Sequence, residues 1–263
     1  MTMGSAKRAF ATVSPGPMYQ QDSEKAIGRV LVADEDYSVR RALHTILLAA
    51  GFDVTEASGV DEALAPAQVV RCDVALLAAR MGGRQPFEIC GELRARCPGL
   101  RVLMLTAGDD ESEQLEALDA GADDCIAKPL RANEVMARVR AAMRRTTSPQ
   151  VPGHATIRIG EIEANLSRRV VYKAGNMVHL TPKEFDLLVY LMMRAGIPIP
   201  HRQILTAVWG SDHGSRVDYL RTFVRQLRRK LEDRVETPRY LLTNNYIGYR
   251  FADKTELPAG AWE

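Results

Sequence analysis

The chain has 263 residues, 46% hydrophobic and 26% charged, with a formal net charge of +2, which suits two domains of ordinary size with normal cores. No apolar run reaches the roughly 18 residues of a membrane span, and no signal-peptide core opens the chain, so a soluble, cytoplasmic protein with no membrane partner is expected. The cysteines Cys72, Cys90, Cys97 and Cys125 form no C-x-x-C pair, and only His44 among the histidines precedes residue 150, a pattern that argues against zinc and for reduced, buried thiols.

Residues 1–27 contain Gly, Pro, Ser and Gln without a sustained period and read as a flexible tail. From 28 to 145 short apolar runs alternate with helical stretches. The runs are RVLVA, DVTEAS, DVALLA, RVLMLT and CIAK, and the helices are expected at 38–50, EALAPAQVV, 86–96, 111–119 and 131–145. Five near-continuous apolar strands interleaved with helices predict an α/β domain, a five-stranded, doubly wound parallel sheet covered on both faces. Ligands of such sheets sit beyond the carboxyl ends of the strands.

A linker is expected at 146–154, where two prolines and a glycine interrupt any apolar period. Residues 155–252 then predict a small α+β domain. Strands are expected at 156–162, 169–173 and 177–180, helices at 182–194, 201–208 and 215–232, and a hairpin in YLLTNNYIGYRF. Residues 253–263 read as a C-terminal tail. Charge divides the halves: 28–145 holds 15 Lys and Arg against 19 Asp and Glu, whereas 155–252 holds 16 against 9. Only the second half is suited to a polyanion.

Four strand ends carry polar chemistry. Asp34, Glu35 and Asp36 follow the first strand, Thr106 ends the fourth, and Lys128-Pro129 ends the fifth, while the third ends at Ala78. A carboxylate pair, a hydroxyl and an ammonium on one rim suit a magnesium and phosphoryl site. The residues alone also allow Asp36 to cap a helix while Asp34 and Glu35 are merely solvated.

RVLVADEDYSVRRAL, CDVALLAARMGGRQPFEIC, VLMLTA and ALDAGADDCIAKPLRANEVMARVRAAMRR resemble, in order and spacing over about 120 residues, the receiver domain of two-component response regulators. The resemblance assigns Asp34 and Glu35 to a magnesium-binding pair, Thr106 and Lys128 to phosphoryl contacts, and Ala78 to the phosphoacceptor position, where an aspartate is lost. Gly82 stands where the family usually has proline, Gln85-Pro86 where it often has Asp-Gly, and Cys125 at the aromatic switch position. A degenerate receiver is therefore expected, with no cofactor and magnesium bound at most weakly. An introduced Asp→Ala block of a conventional regulator is the alternative.

The stretch SRVDYLRTFVRQLRRKLE places Val217, Leu220, Val224, Leu227 and Leu231 on one helix face, with Arg221, Thr222, Arg225, Gln226, Arg228 and Arg229 on the others. Together with LTPKEFDLLVYLM, HRQILTAVWG and GYRF it resembles the winged helix of OmpR/PhoB-type regulators, leaning to the KdpE-like subgroup. The resemblance implies that this helix enters the major groove of double-stranded DNA. Tyr219, Arg221, Thr222, Arg225 and Gln226 would then face base edges or nearby phosphates. Arg228, Thr243 and Tyr249 would hold the DNA backbone, and Asn245 and Tyr246 depart from the usual wing. Trp209 and Phe185 read as core residues.

The expected protein is a sequence-specific DNA-binding transcriptional regulator, not an enzyme, acting without aspartyl phosphorylation. By resemblance it forms a homodimer through acid–arginine pairs drawn from Asp119, Asp123, Asp124, Arg131, Arg138 and Arg145. RNA polymerase and a sensor kinase are further partners to consider. The other reading is a regulator whose degenerate pocket binds a metabolite or a protein.

Overall fold

The computed structural model describes residues 26–65, 71–108, 110–143, 156–210 and 216–257. Each N-terminal apolar run contributes one parallel strand: β1 (Arg29–Ala33), β2 (Asp53–Ala57), β3 (Val74–Ala78), β4 (Arg101–Thr106) and β5 (Asp124–Ala127). Their order in the sheet is β2-β1-β3-β4-β5. Every residue of β3 and β4 is buried, which is why both lack the alternation of a half-exposed strand. Helices α1 (Tyr37–Ala49), α2 (Val60–Ala63), α3 (Pro86–Arg96), α4 (Glu111–Asp119) and α5 (Ala132–Met143) alternate with them. Of the helix expected in EALAPAQVV only the beginning is seen, in α2, since 66–70 lie outside the described residues. Asp36 and Asp110 cap α1 and α4 by accepting the N–H of Ser38 and Ser112 at 2.8 and 2.9 Å.

In the second half, β6 (Thr156–Ile159), β7 (Ile162–Asn165), β8 (Val170–Lys173) and β9 (Asn176–Val178) form an antiparallel meander. The single strand expected at 156–162 is thus two. Ile159 pairs with Ile162 across a two-residue turn, and Gly160, at φ +57°, supplies the left-handed backbone that such a turn requires. A Cβ on Gly160 would lie 2.8 Å from Leu257 and 2.9 Å from Tyr240. Leu257 is buried there, so the segment expected to begin a tail at 253 packs onto the domain through residue 257.

Helices α6 (Pro182–Met192), α7 (His201–Val208) and α8 (Val217–Leu231) follow. They meet a three-stranded sheet ordered β10-β12-β11, made of β10 (Ile199–Pro200), β11 (Leu241–Asn244) and β12 (Gly248–Phe251). Thr181 opens α6 with a capping box: its hydroxyl accepts from Glu184 N at 3.3 Å and Glu184 accepts from Thr181 N at 2.7 Å. The expected apolar face of α8 is the buried one, with Leu220, Val224, Leu227 and Leu231 almost inaccessible. The expected linker 146–154 lies outside the described residues.

One face of the parallel sheet forms a core with α1 and α5 through Val30, Val32, Leu43, Leu47, Val135 and Val139. The core on the other face, with Leu77, Met104 and Leu118, continues without a break into that of the second domain around Phe223 and Leu227. The two domains therefore share apolar packing.

Asp124 at the start of β5 accepts from Arg138 of α5 through both oxygens at 3.0 Å, and each side chain is about 4% exposed. Removing one member of so buried a pair strands the other charge. Arg138→Ala is expected to lower stability by about 3–5 kcal/mol, measured by urea unfolding of the full chain. A loss below about 1 kcal/mol would mean that the pair is not structural.

Candidate nucleic-acid interface and receiver pocket

The sheet brings the expected rim residues together. Asp34, 3% exposed, receives Lys128 Nζ at 2.6 Å on one oxygen and Asp36 N at 3.0 Å on the other. Glu35 accepts the Gly82 N–H at 2.6 Å. Thr106 turns its hydroxyl to the carbonyl of Gly108 at 3.4 Å. Ala78 ends β3 beside Leu105 and is 4% exposed. Both carboxylates of the pair are thus engaged within the chain, and the side chain at position 78 has no oxygen to offer. The residues present do not fit a magnesium ion, which prefers an octahedron of oxygen ligands.

The glycine in the loop is part of this arrangement. Gly82 has φ +62° in a turn closed by pairing of Met81 with Arg84. Proline at this position could neither adopt that angle nor donate to Glu35. Cys125 is fully buried, its thiol 3.5 Å from the Gln114 carbonyl. Burial raises its pKa, as it raises those of Cys72 and Cys90, to about 11 and about 12. None of these three thiols is poised as a nucleophile.

The residues expected to meet DNA divide into three groups. Arg221, Arg225, Arg229, Thr243 and Asn245 are exposed. Arg228 donates to the Leu241 carbonyl at 3.0 and 2.8 Å and to the Thr243 hydroxyl at 2.8 Å, tying α8 to the wing strand β11. Tyr249, 6% exposed, packs edge-on against His201 at 5.3 Å. These last two brace the wing. Tyr246, by contrast, stands fully exposed at the wing tip with φ +64°.

Tyr219, Thr222 and Gln226 form the third group and are buried. What covers α8 is α4 of the first domain, which packs along it. Tyr219 and Arg216 donate to the side-chain oxygen of Gln114 at 3.3 and 3.1 Å. Gln226 donates to the Leu118 carbonyl at 2.7 Å, and Arg225 pairs with Asp119. Arg101 of β4 also reaches Asp186 of α6 at 3.0 Å, with both side chains largely buried.

The acid–arginine set expected at a dimer interface is mostly engaged inside the chain. Asp119 holds Arg225, Asp124 holds Arg138, and Asp123, with no exposed surface, serves both domains. The Asp123 carboxylate accepts from Val102 N at 2.7 Å, Arg94 at 2.8 Å and Lys183 N at 3.0 Å. Its backbone carbonyl accepts from the Trp209 indole at 3.1 Å. Arg131 is exposed, and Arg145 lies outside the described residues. The contacts through Gln114, Lys183, Asp186, Trp209 and Arg216 were not foreseen. No local period marks a polar side chain whose partner belongs to another domain.

Residues 30–140 match the response regulator receiver domain, and residues 175–251 match the C-terminal domain of transcriptional regulatory proteins. KdpE, the KDP operon transcriptional regulatory protein of Escherichia coli (strain K12), is 35% identical over 222 residues, covering 84% of this chain and 98% of that protein. The transcriptional regulatory protein KdpE of Mycobacterium tuberculosis (strain H37Rv) is 37% identical over the same length and coverage. The chain belongs to the OmpR/PhoB-type response regulators. It is a DNA-binding transcriptional regulator of that type, with a parallel receiver sheet and a winged helix. A RitR mutant shares its fold, with a TM-score of 0.71 over 86% of this chain and 99% of that one at 23% identity. No helix among the described residues is long and apolar enough to cross a membrane.

Within this response regulator, Gly82 is the departure with a direct geometric consequence. Gly82→Pro, which restores the residue usual in the family, is expected to destabilise the receiver by more than about 1 kcal/mol, because it forbids the observed φ and removes a donor. Gly99→Ala, at an open position without positive φ, serves as a near-neutral control. Equal urea midpoints for Gly82→Pro and the parent would contradict the role given to the loop.

Proposed function

We propose that this response regulator controls transcription without aspartyl phosphorylation, and that it rests with its DNA-reading helix covered by its own receiver. The observation that carries the reading is the burial of Tyr219, Thr222 and Gln226 beneath α4. These are side chains that the winged-helix resemblance places at base edges or nearby phosphates. DNA and receiver therefore compete for one face of α8, and any signal that favours binding must first separate them. Alanine at 78 removes the acceptor through which a phosphoryl group would supply that signal.

The loop supports a naturally degenerate receiver over an introduced block. A single Asp→Ala change would leave the rest of the pocket conventional, whereas Gly82 at φ +62° also secures Glu35. Homodimerisation is part of the proposal and is linked to opening. Asp119 pairs with Arg225 of α8 and Asp123 reaches Lys183 of α6, so release of the winged helix would free the reading helix and Asp119 of the expected dimer face together. Open dimers would then place two reading helices on half-sites about one DNA turn apart.

Two outcomes test this reading. Acetyl phosphate should leave both the mass and the DNA affinity of the protein unchanged, and Ala78→Asp should not restore phosphate-dependent binding. Stable phosphate on any receiver aspartate would overturn it. Separately, Asp119→Arg combined with Gln114→Ala should tighten DNA binding several-fold. That pair breaks an exposed ion pair, sets like charges together and removes one buried and one partly buried hydrogen bond, changes of about 0.5–1.5 kcal/mol each. Unchanged or weaker binding by the double variant, as seen in a mobility shift, would contradict the covered helix.

A further inference from the structure

A cavity of about 590 Å³ lies on the seam between the two domains, within the roughly 300–1,000 Å³ range of small-molecule sites. The receiver contributes Arg94, Ala95 and Ala120 to its wall, and the winged-helix domain contributes Leu180, Gln226 and Arg229. Most of its surface is contributed by apolar atoms, and the polar side chains of His179, Thr181 and Lys230 also reach its wall.

Those polar groups are unevenly satisfied. Asp119 and Glu184 also line the cavity, but each already holds a cation, Arg225 and Lys230 respectively. Arg94 donates through its terminal nitrogens to Leu100 O, Gly121 O and Asp123, yet its Nε is buried without a partner. Gln226 donates to Leu118 O, yet its Oε1 is likewise buried without a partner. Arg229 is exposed and makes no ion pair with a described residue. A buried polar atom left unpaired costs free energy that a fitting ligand would recover. An unmatched guanidinium at the rim and engaged carboxylates together favour a negative guest.

We propose that this seam binds a small organic anion with an apolar, ring-sized body and one hydrogen-bond donor. Its anionic group would meet Arg229, its donor would reach Gln226 Oε1 once that side chain turned toward the cavity it lines, and its body would lie against Ala95, Ala120 and Leu180. Because both domains build the wall, such a ligand binds the closed form alone. It would hold α8 under α4 and lower DNA affinity, and DNA would expel it in turn. The site is distinct from the vestigial acidic pocket at the other strand ends. It rests on the closed arrangement proposed above.

Anilinonaphthalene sulfonate, an aromatic anion with one N–H donor, is a suitable probe. The full chain should bind it saturably at one site, with enhanced fluorescence. At a probe concentration ten times its Kd, affinity for a mixed-sequence DNA duplex should fall roughly tenfold. Ala120→Trp and Ala95→Trp, which fill the cavity from the receiver side, should each weaken probe binding at least tenfold and abolish its effect on DNA. Thermal unfolding checks that both variants fold. Small-angle scattering of the same samples separates the two possible failures. A compact free chain whose probe binding is unchanged by both substitutions, or whose bound probe leaves DNA affinity unaltered, overturns the cavity site while the covered helix stands. A free chain that scatters as two separated domains overturns the covered helix and the cavity together.

Discussion

Asp123 is the residue on which the observed arrangement turns. Its carboxylate closes the receiver by accepting from Val102 of β4 and Arg94 of α3, and it reaches out of the receiver to the N–H of Lys183. Lys183 is the second residue of α6, one of the four whose amide protons find no partner inside a helix. A receiver carboxylate thus completes the first turn of an effector-domain helix, where it also meets the positive end of the helix dipole. The Trp209 indole bonded to the Asp123 carbonyl anchors α7 to the same point. With Asp123 wholly buried, this hub tolerates little displacement before polar groups are left unpaired.

Around that hub the seam has the make-up of a domain core. Apolar packing runs from the parallel sheet through α4 into the winged helix, and buried hydrogen bonds and ion pairs flank it. The departure at position 125 fits this packing. Tyr219 of α8 comes within hydrogen-bonding reach of the Cys125 thiol, so a bulky aromatic side chain there would compete for the space in which Tyr219 docks. Cys125 is part of the floor beneath α8. Under the proposed reading, alanine at 78 and the small side chain at 125 belong together: the receiver face that carries Cys125 holds the chain's own effector domain.

Much of the fold was legible in the sequence because burial on both sides leaves a plain trace. RVLVA, DVALLA and RVLMLT could be strands of little else than a covered parallel sheet, and the three-and-four spacing in α8 gave its inward face. The strand-end residues were also legible, since the topology of a doubly wound sheet brings them to one rim. Other features were hidden for physical reasons. The turn at Gly160 splits a run whose composition does not change across it. Arg228, which the family resemblance places on the DNA backbone, also donates through Nε and Nη2 to a carbonyl of its own wing, a contact that its sequence neighbours do not announce. Asp124 and Arg138 have the signs expected of an intermolecular pair, and charge does not say whether the partner lies across a dimer or one helix away. The contacts of Gln114, Asp123 and Lys183 depend on how two domains dock, which no window of local sequence contains.

The covered helix can be tested most directly by tethering α4 to α8. Asp119→Cys and Arg225→Cys, in a background carrying Cys72→Ser and Cys97→Ser, replace an ion-paired contact across the seam with two thiols that a short bismaleimide can bridge. The account predicts rapid intramolecular cross-linking of the free protein, protection from it by saturating DNA, and loss of DNA binding once the bridge has formed. Failure of the free protein to cross-link, or a cross-linked protein that binds DNA as tightly as its untethered parent, would contradict it.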